Sequence, residues 1–255
     1  MPNTATSPEE SFGELTTTTP LLNYEAPAIQ SLIRDRGWRG LSQFDQIGAL
    51  HDYVRNEIRF GYNLTDTTKA SQVLSDGYGQ CNTKSVLMMA LLRALGLPCK
   101  MHGFTITKSL QRGVVPELAY PITPQNIVHS WVEVWFDNRW VKLEGFILDD
   151  GVLSALQRQF PDRNSLCAFG AGTERLQQPE VNWTGADTYI QQTGINQDFG
   201  LFDTPDQFFA KHPQELTGLR GFMFRNVLRH WMNTRVQRIR NGHSYSLPKD
   251  ALGNG

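Results

Sequence analysis

Residues 81–95, CNTKSVLMMALLRAL, place the strongest constraint on the fold, because almost none of them after Ser85 is polar. A helix that is apolar nearly all the way round is buried in the core of a globular protein. Gly96 suits the position just past a helix end, and Pro98 soon follows, so the helix is predicted to stop there. With 255 residues, of which 40% are hydrophobic, the chain has enough material to enclose such a helix.

The start of this helix carries the strongest candidate nucleophile. In the stretch GYGQC, Gly77 and Gly79 allow a sharp turn just before Cys81. A helix N-terminus has a partial positive charge and free N–H groups, so it favours a thiolate and, later, an oxyanion. The sequence therefore predicts that Cys81 is catalytic and that its own N–H helps to bind the oxyanion. Cys99 and Cys167 are interpreted as inert thiols.

A hairpin further along the chain is predicted to carry the rest of the site. HSWVEVWF, residues 129–136, and RWVKLEGFIL, residues 139–148, have the pattern of two strands. The pair Asp137-Asn138 between them is a hairpin signal, because both residue types tolerate a left-handed backbone. Residues 99–107 are predicted to form another strand.

His129 is the predicted base, and Glu144 is the predicted carboxylate behind it. If the turn has only two residues, the two side chains lie on one face of the hairpin as diagonal neighbours. Glu144 can then orient one imidazole nitrogen and leave the other for Cys81. A turn of three residues would put Glu144 on the opposite face. The alternatives for the carboxylate are Asp149, Asp150 and, less favoured, Asn126.

These segments resemble the transglutaminase-like superfamily, which consists of papain-related enzymes with a Cys-His-Asp triad. The resemblance lies in GYGQC followed by LLRALGLPCK, and in HSWVEVW followed by RWVKLEG, all within residues 77–149. It implies an α+β fold in which the helix bearing Cys81 packs on an antiparallel sheet bearing the other two residues. It also implies an acyl-thioester intermediate. Glu144 departs from the family pattern, which has Asp at this position.

The domain organisation is predicted from composition and pattern. Residues 1–22 are rich in Thr, Ser, Pro and Glu and are expected to be a disordered tail. Residues 23–150 are expected to form the transglutaminase-like core. Residues 151–255 are expected to form a mostly helical and loop extension that packs on the core, so that the chain is one domain overall.

Within the extension, helices are predicted at residues 153–160 and 219–239, with loops between 164 and 200. The acidic stretch at residues 187–209 lacks the regular ligand spacing of an EF-hand, so no calcium site is predicted there. The last helix carries a row of arginines, which is interpreted as the solvated face of a docked helix: Arg225, Arg229, Arg235, Arg238 and Arg240.

Composition limits the partners. The net charge of −1 gives no overall field toward nucleic acid or a membrane, and neither is predicted as a partner. The three cysteines are widely spaced and odd in number, which fits neither a disulfide framework nor paired zinc ligands. No signal peptide or apolar run of membrane-spanning length is recognised, so a cytoplasmic location is predicted. No metal or cofactor is predicted either.

The function predicted from these residues is thiol-dependent acyl transfer or amide hydrolysis on a peptide, protein or small amide. Exclusion of water would favour an amine as acceptor, and Trp131, Trp135 and Trp140 are candidates to line a dry cleft. The alternative is an inactive relative that binds a peptide or protein partner, which the departure at Glu144 favours mildly. The sequence leaves the acyl acceptor and the oligomeric state open.

Overall fold

The computed structural model describes residues 12–214 and 218–247. The helices in this part are α1 (Pro27–Asp35), α2 (Gln43–Asp52), α3 (Ala70–Asp76), α4 (Cys81–Ala94), α5 (Asp150–Gln159), α6 (Pro205–Lys211), α7 (Gly218–Met223) and α8 (Arg229–Arg240). The strands are β1 (Arg59–Phe60), β2 (Tyr78–Gly79), β3 (Cys99–Thr107), β4 (Asn126–Phe136), β5 (Arg139–Leu143), β6 (Leu166–Ala168), β7 (Ala171–Thr173) and β8 (Ile195–Phe202). Helices and an antiparallel sheet coexist, so the α+β prediction is confirmed.

The main sheet is antiparallel, with strand order β5-β4-β3-β8. In the β4–β5 hairpin, Phe136 pairs with Arg139, which leaves only Asp137 and Asn138 in the turn. Their φ angles of 48° and 58° are left-handed, as the tightest hairpin turns require. The predicted two-residue turn is therefore confirmed.

Helix α4 forms the centre of the core, as predicted, because every one of its residues is buried. It packs against β4 on the face that carries Val132 and Val134. Its N-terminus is closed by a reciprocal pair of hydrogen bonds between Gln80 and Thr83. These contacts fix Cys81 as the first residue of the helix.

Lys84 is a fully buried lysine in the first turn of α4. Its Nζ donates to the carbonyl oxygens of Ile147 (2.9 Å) and Arg55 (3.2 Å). Burial holds the pKa of Lys84 well below its usual range, although the nearby carboxylate of Asp149 raises it. The lysine thus ties α4 to the segment after β5 through hydrogen bonds to backbone carbonyls.

The opposite face of the sheet carries a second, smaller apolar cluster. Phe104 and Ile106 of β3 pack there with Trp131 of β4 and with Leu110. The fourth strand of the sheet, β8, lies within a region for which the sequence predicted loops up to residue 200. That prediction is wrong for residues 195–200, which pair with β3. It is also wrong for β6 and β7, which form a short antiparallel pair with each other.

The N-terminal segment of the chain also differs from expectation. Residues 1–11 of the predicted tail lie outside the described residues, but Leu15 and Leu22 are buried in the structure. Arg93 of α4 holds the same segment by donating to the carbonyl oxygen of Thr17 (2.9 Å). The part of the tail from residue 12 onward therefore packs on the core instead of extending freely.

The helix predicted for residues 219–239 is confirmed as a continuous helical run from Gly218 to Arg240. A π-helical turn at Phe224–Leu228 lies within this run, between α7 and α8. Within the described residues, no helix has the length and apolar character needed to cross a bilayer.

Candidate active site

Cys81 lies where the N-terminus of α4 meets the edge of β4, and only 9% of it is exposed. Backbone N–H groups of Asn82, next along the helix, and of Ser130 on β4 both donate toward its sulfur. Ser130 immediately follows His129, so the thiol is held beside the strand that carries the predicted base.

The electrostatics of the thiol differ from expectation. Burial raises the pKa of Cys81 well above its usual range, and the carboxylates of Asp66 and Glu144 raise it further. The N–H groups of Asn82 and Ser130 lower it without reversing the result. A helix N-terminus alone favours a thiolate, whereas removal from water raises the pKa of this thiol in spite of the local dipoles.

The imidazole of His129 is completely buried, and its two nitrogens have different surroundings. Nε2 forms a hydrogen bond of 3.1 Å with Oε1 of Glu144. Nδ1 has no hydrogen-bond partner among the described residues. The ring of Phe104 stacks edge-on at 4.6 Å between centroids and helps to fix the plane of the imidazole. The structure therefore brings together the predicted base and the predicted carboxylate.

Glu144 directly follows β5 and is also completely buried. While Oε1 contacts His129, Oε2 accepts the backbone N–H groups of Ile190 and Gln191, both at 3.0 Å. The hydroxyl of Thr188 accepts from the backbone N–H of Glu144 itself (3.2 Å). These bonds set the direction in which the carboxylate faces the imidazole.

The alternative carboxylates have other partners. Asp149 caps α5 and forms an ion pair of 2.7 Å with Arg240. Asp150 is exposed and pairs with Arg55 at 2.6 Å. Asn126 is exposed at the start of β4. Of the candidate third residues, Glu144 is the one hydrogen-bonded to His129.

Polar residues around the thiol were missed by the sequence analysis. Asp66 accepts from Nε2 of Gln80 at 3.0 Å, and burial raises its pKa. Asn82 donates to the carbonyl oxygen of Val128 and accepts from the hydroxyl of Ser130, both at 3.0 Å. Asn82 could have been recognised as a candidate site residue, because it directly follows the predicted nucleophile in the sequence. Asp66 gave none, because it lies in a polar loop without periodicity.

A cavity of about 410 Å³ opens in front of Cys81 and is walled mostly by apolar side chains. The expectation that Trp131, Trp135 and Trp140 line the cleft is wrong. Trp131 belongs to the second apolar cluster, and Trp135 packs against Trp140. The tryptophan in the cavity wall is Trp231 of α8.

The class of protein follows from this arrangement: an α+β domain that presents a cysteine at a helix N-terminus beside a histidine–carboxylate pair on a sheet. Residues 38–145 match the transglutaminase-like superfamily. The resemblance noted in the sequence is confirmed, and the chain contains a transglutaminase-like domain over this range. This match supports a thiol-dependent activity in general terms.

Two other proteins are similar over part of their length. A stretch of 113 residues is 31% identical to the uncharacterized protein YebA of Bacillus subtilis, covering 40% of this chain and 15% of that protein. The chain thus spans under one sixth of that relative. The crystal structure of a proposed cysteine protease from Cytophaga hutchinsonii shares 11% identity and a TM-score of 0.44, covering 80% of this chain and 49% of that one. The latter likeness is too weak to assign an activity.

Proposed function

We propose that the protein catalyses acyl transfer or amide hydrolysis through a thioester on Cys81. His129 serves as general base and acid, and Glu144 orients it. The observation that carries the proposal is the unequal use of the imidazole: Nε2 is bound to Glu144, whereas the buried Nδ1 is left without a partner among the described residues. Burial of a nitrogen without a hydrogen-bond partner costs free energy. A nitrogen left unpaired in this way is available to accept a proton, as a general base must.

In the first half of the reaction, Nδ1 of His129 accepts the proton of the Cys81 thiol while the sulfur attacks the substrate carbonyl carbon. The electron pair of the C=O bond moves to oxygen. The backbone N–H of Cys81, at the start of α4, can bind that oxyanion. The intermediate then collapses: the carbon–nitrogen bond breaks, the amine takes the proton from His129, and the thioester remains.

In the second half, water or an amine gives a proton to Nδ1 of His129 and attacks the thioester carbonyl. The carbon–sulfur bond breaks, and the sulfur recovers the proton from His129. Hydrolysis and transfer therefore use the same residues and differ only in the second nucleophile. Because burial raises the pKa of Cys81, proton transfer to His129 is expected to accompany the attack rather than precede it.

The test is acylation of the protein by p-nitrophenyl acetate, followed by nitrophenolate release and by mass spectrometry of the acetyl adduct. We expect the adduct on Cys81, no adduct there in Cys81→Ala, and a decrease in rate of about 10²- to 10⁴-fold in His129→Gln. Cys167→Ala is the matched control and should react like the unmodified protein. Equal rates in the unmodified protein and His129→Gln would refute the assignment.

The second candidate function is peptide binding without turnover, and the raised pKa of Cys81 favours it. The same assay separates the two. An absence of acylation at any pH, combined with peptide binding that survives Cys81→Ala and His129→Gln, would establish the binding role.

A further inference from the structure

One edge of β4 next to Cys81 is not covered by a strand. β5 pairs with β4 only from Val132 to Phe136, so on that side residues 126–131 have no partner strand within the described ranges. We call the outward backbone groups of residues 126–130 the free edge. Side chains, rather than a strand, pair with the N–H and C=O groups that this edge presents, and a backbone can take the place of a side chain that is displaced.

A side-chain amide from the C-terminal extension occupies the far end of the free edge. Oε1 of Gln214 accepts the backbone N–H of Val128 at 2.8 Å. Nε2 of Gln214 donates to the backbone carbonyl of Asn126 at 3.1 Å. A carboxamide has the same donor and acceptor as a peptide group. Gln214 thus makes the two hydrogen bonds that the backbone of an added strand would make.

The near end of the free edge leads to the nucleophile. The carbonyl of Val128 accepts from Asn82, and the N–H of Ser130 donates toward the sulfur of Cys81. Val128 and Ser130 are two residues apart, which on a strand is roughly 6.6 Å. A backbone bound where Gln214 now lies would therefore run directly toward the thiol.

The position of Gln214 suits it to displacement by a bound substrate. It comes after α6, 86 residues from Val128, and it is half-buried at the wall of the Cys81 cavity. A substrate backbone has the donor and the acceptor needed to replace both hydrogen bonds that Gln214 makes to the edge.

We propose that the substrate is an extended polypeptide that pairs with the free edge of β4, and that Gln214 holds this edge until the substrate displaces it. The proposal rests on the acyl-transfer function proposed above and names the substrate class of that site. Because the cavity wall beyond the edge is mostly apolar, leucine side chains suit the bound peptide.

The experiment compares two nitrophenyl esters that share a leaving group. One is p-nitrophenyl acetate, which has no backbone, and the other is the p-nitrophenyl ester of acetyl-Leu-Leu-Gly. Removal of the internal competitor in Gln214→Ala should raise kcat/KM for the peptidyl ester by about five- to tenfold, as the loss of one or two hydrogen bonds allows. The value for the acetyl ester should not change.

Two arms exclude trivial causes. Gln214→Glu keeps the acceptor for Val128 but loses the donor to Asn126, so an intermediate gain is expected. This variant also decides the question if Gln214→Ala fails to fold. Gln207→Ala, an exposed glutamine on α6, is the matched control and should behave like the unmodified protein.

The backbone itself is probed with N-methylated versions of the peptidyl ester. Methylation of the N–H that meets the edge should abolish the gain seen in Gln214→Ala. An unchanged or lower kcat/KM for the peptidyl ester in both Gln214 variants, or equal rates for methylated and unmethylated esters, would overturn the proposal. If neither ester acylates Cys81 in any variant, the acyl-transfer function itself fails, which is a distinguishable result.

Discussion

Two histidines lie on the same face of the sheet, and they differ in the hydrogen-bond partners of their ring nitrogens. His102 of β3 has both ring nitrogens within hydrogen-bond distance of carboxylates, Glu133 at 2.9 Å and Asp198 at 2.8 Å. His129 of β4 has a carboxylate on Nε2 alone, and its Nδ1 is unpartnered within the described residues. The first ring has no nitrogen left to accept a proton, and the second has one.

Solvent access strengthens the contrast. His102 is partly exposed: desolvation lowers its pKa, but the hydrogen bonds to Glu133 and Asp198 outweigh this, and the pKa is raised overall. His129 is completely buried. A histidine with both nitrogens paired stabilises a sheet, whereas a buried histidine with a free nitrogen is suited to proton transfer.

The largest expected effect comes from replacement of the carboxylate that is hydrogen-bonded to His129, compared with the same change beside His102. In Glu144→Gln, the amide can donate to Nε2 of His129, which places the ring proton on Nδ1 and removes the base. Acylation by p-nitrophenyl acetate should fall by about 10²- to 10⁴-fold. Glu133→Gln makes the same chemical change beside His102 and should alter the rate by no more than about twofold. Similar losses in both variants would erase the distinction between the two histidines.

The pH dependence of a variant without the base should be the next largest effect. In His129→Gln, acylation depends on free Cys81 thiolate and should rise about tenfold per pH unit. Because burial raises the pKa of this thiol, the rise should continue beyond 9.0, the ordinary value. A plateau below that pH would contradict the burial effect. His102→Gln should retain the profile of the unmodified protein.

Stability should respond to His102 in a limited pH window. Its raised pKa means that its contribution is complete below 6.5 and is lost as the pH rises through the folded-state value. The lowered pKa of Glu133 means that its carboxylate adds to the unfolding free energy above pH 4.5. This contribution is lost as the pH falls through the folded-state pKa. His102→Gln should therefore cost about 1 kcal/mol of unfolding free energy between these limits and less at alkaline pH. Urea unfolding at several pH values measures this, and a pH-independent cost would show that the ring contributes only packing.

The smallest effect is expected at Asp198, whose side chain is 63% exposed. An exposed ion pair is screened by solvent, so Asp198→Asn should lower the unfolding free energy by no more than about 0.5 kcal/mol. Thermal unfolding at pH 6 and low salt is the suitable measurement. A cost as large as that of His102→Gln would mean that Asp198, rather than Glu133, is the main partner of the ring.

The sequence was sufficient where short-range rules decide the structure. Turn chemistry at Asp137-Asn138 set the register of the hairpin, and the register brought Glu144 to His129. The apolar run after Ser85 was enough to predict a buried helix beginning at Cys81. In each of these cases, local residue types determine the outcome without knowledge of distant contacts.

The sequence was insufficient where the structure depends on distant partners. The pairing register of β8 shifts between Asp198 and Gly200, whose φ is 79°, and the strand carries exposed polar residues. Its sequence therefore shows no strand pattern, and pairing with β3 determines its conformation. The contact of Gln214 with β4 spans 86 residues. The raised pKa of Cys81 is a property of its burial, which the helix pattern alone did not quantify.

The bonds from Ile190 and Gln191 to Glu144 bear on where this enzyme could be divided. The segment matching the superfamily ends at residue 145, so it contains the cysteine, the histidine and the carboxylate but not the loop that aims the carboxylate. A shortened gene product ending there would retain the three side chains of the proposed site and lose the hydrogen bonds that orient Glu144. A design that moves this site into another scaffold therefore has to include the chain as far as Gln191. Substitutions in that loop are expected to be inherited together with those around Glu144.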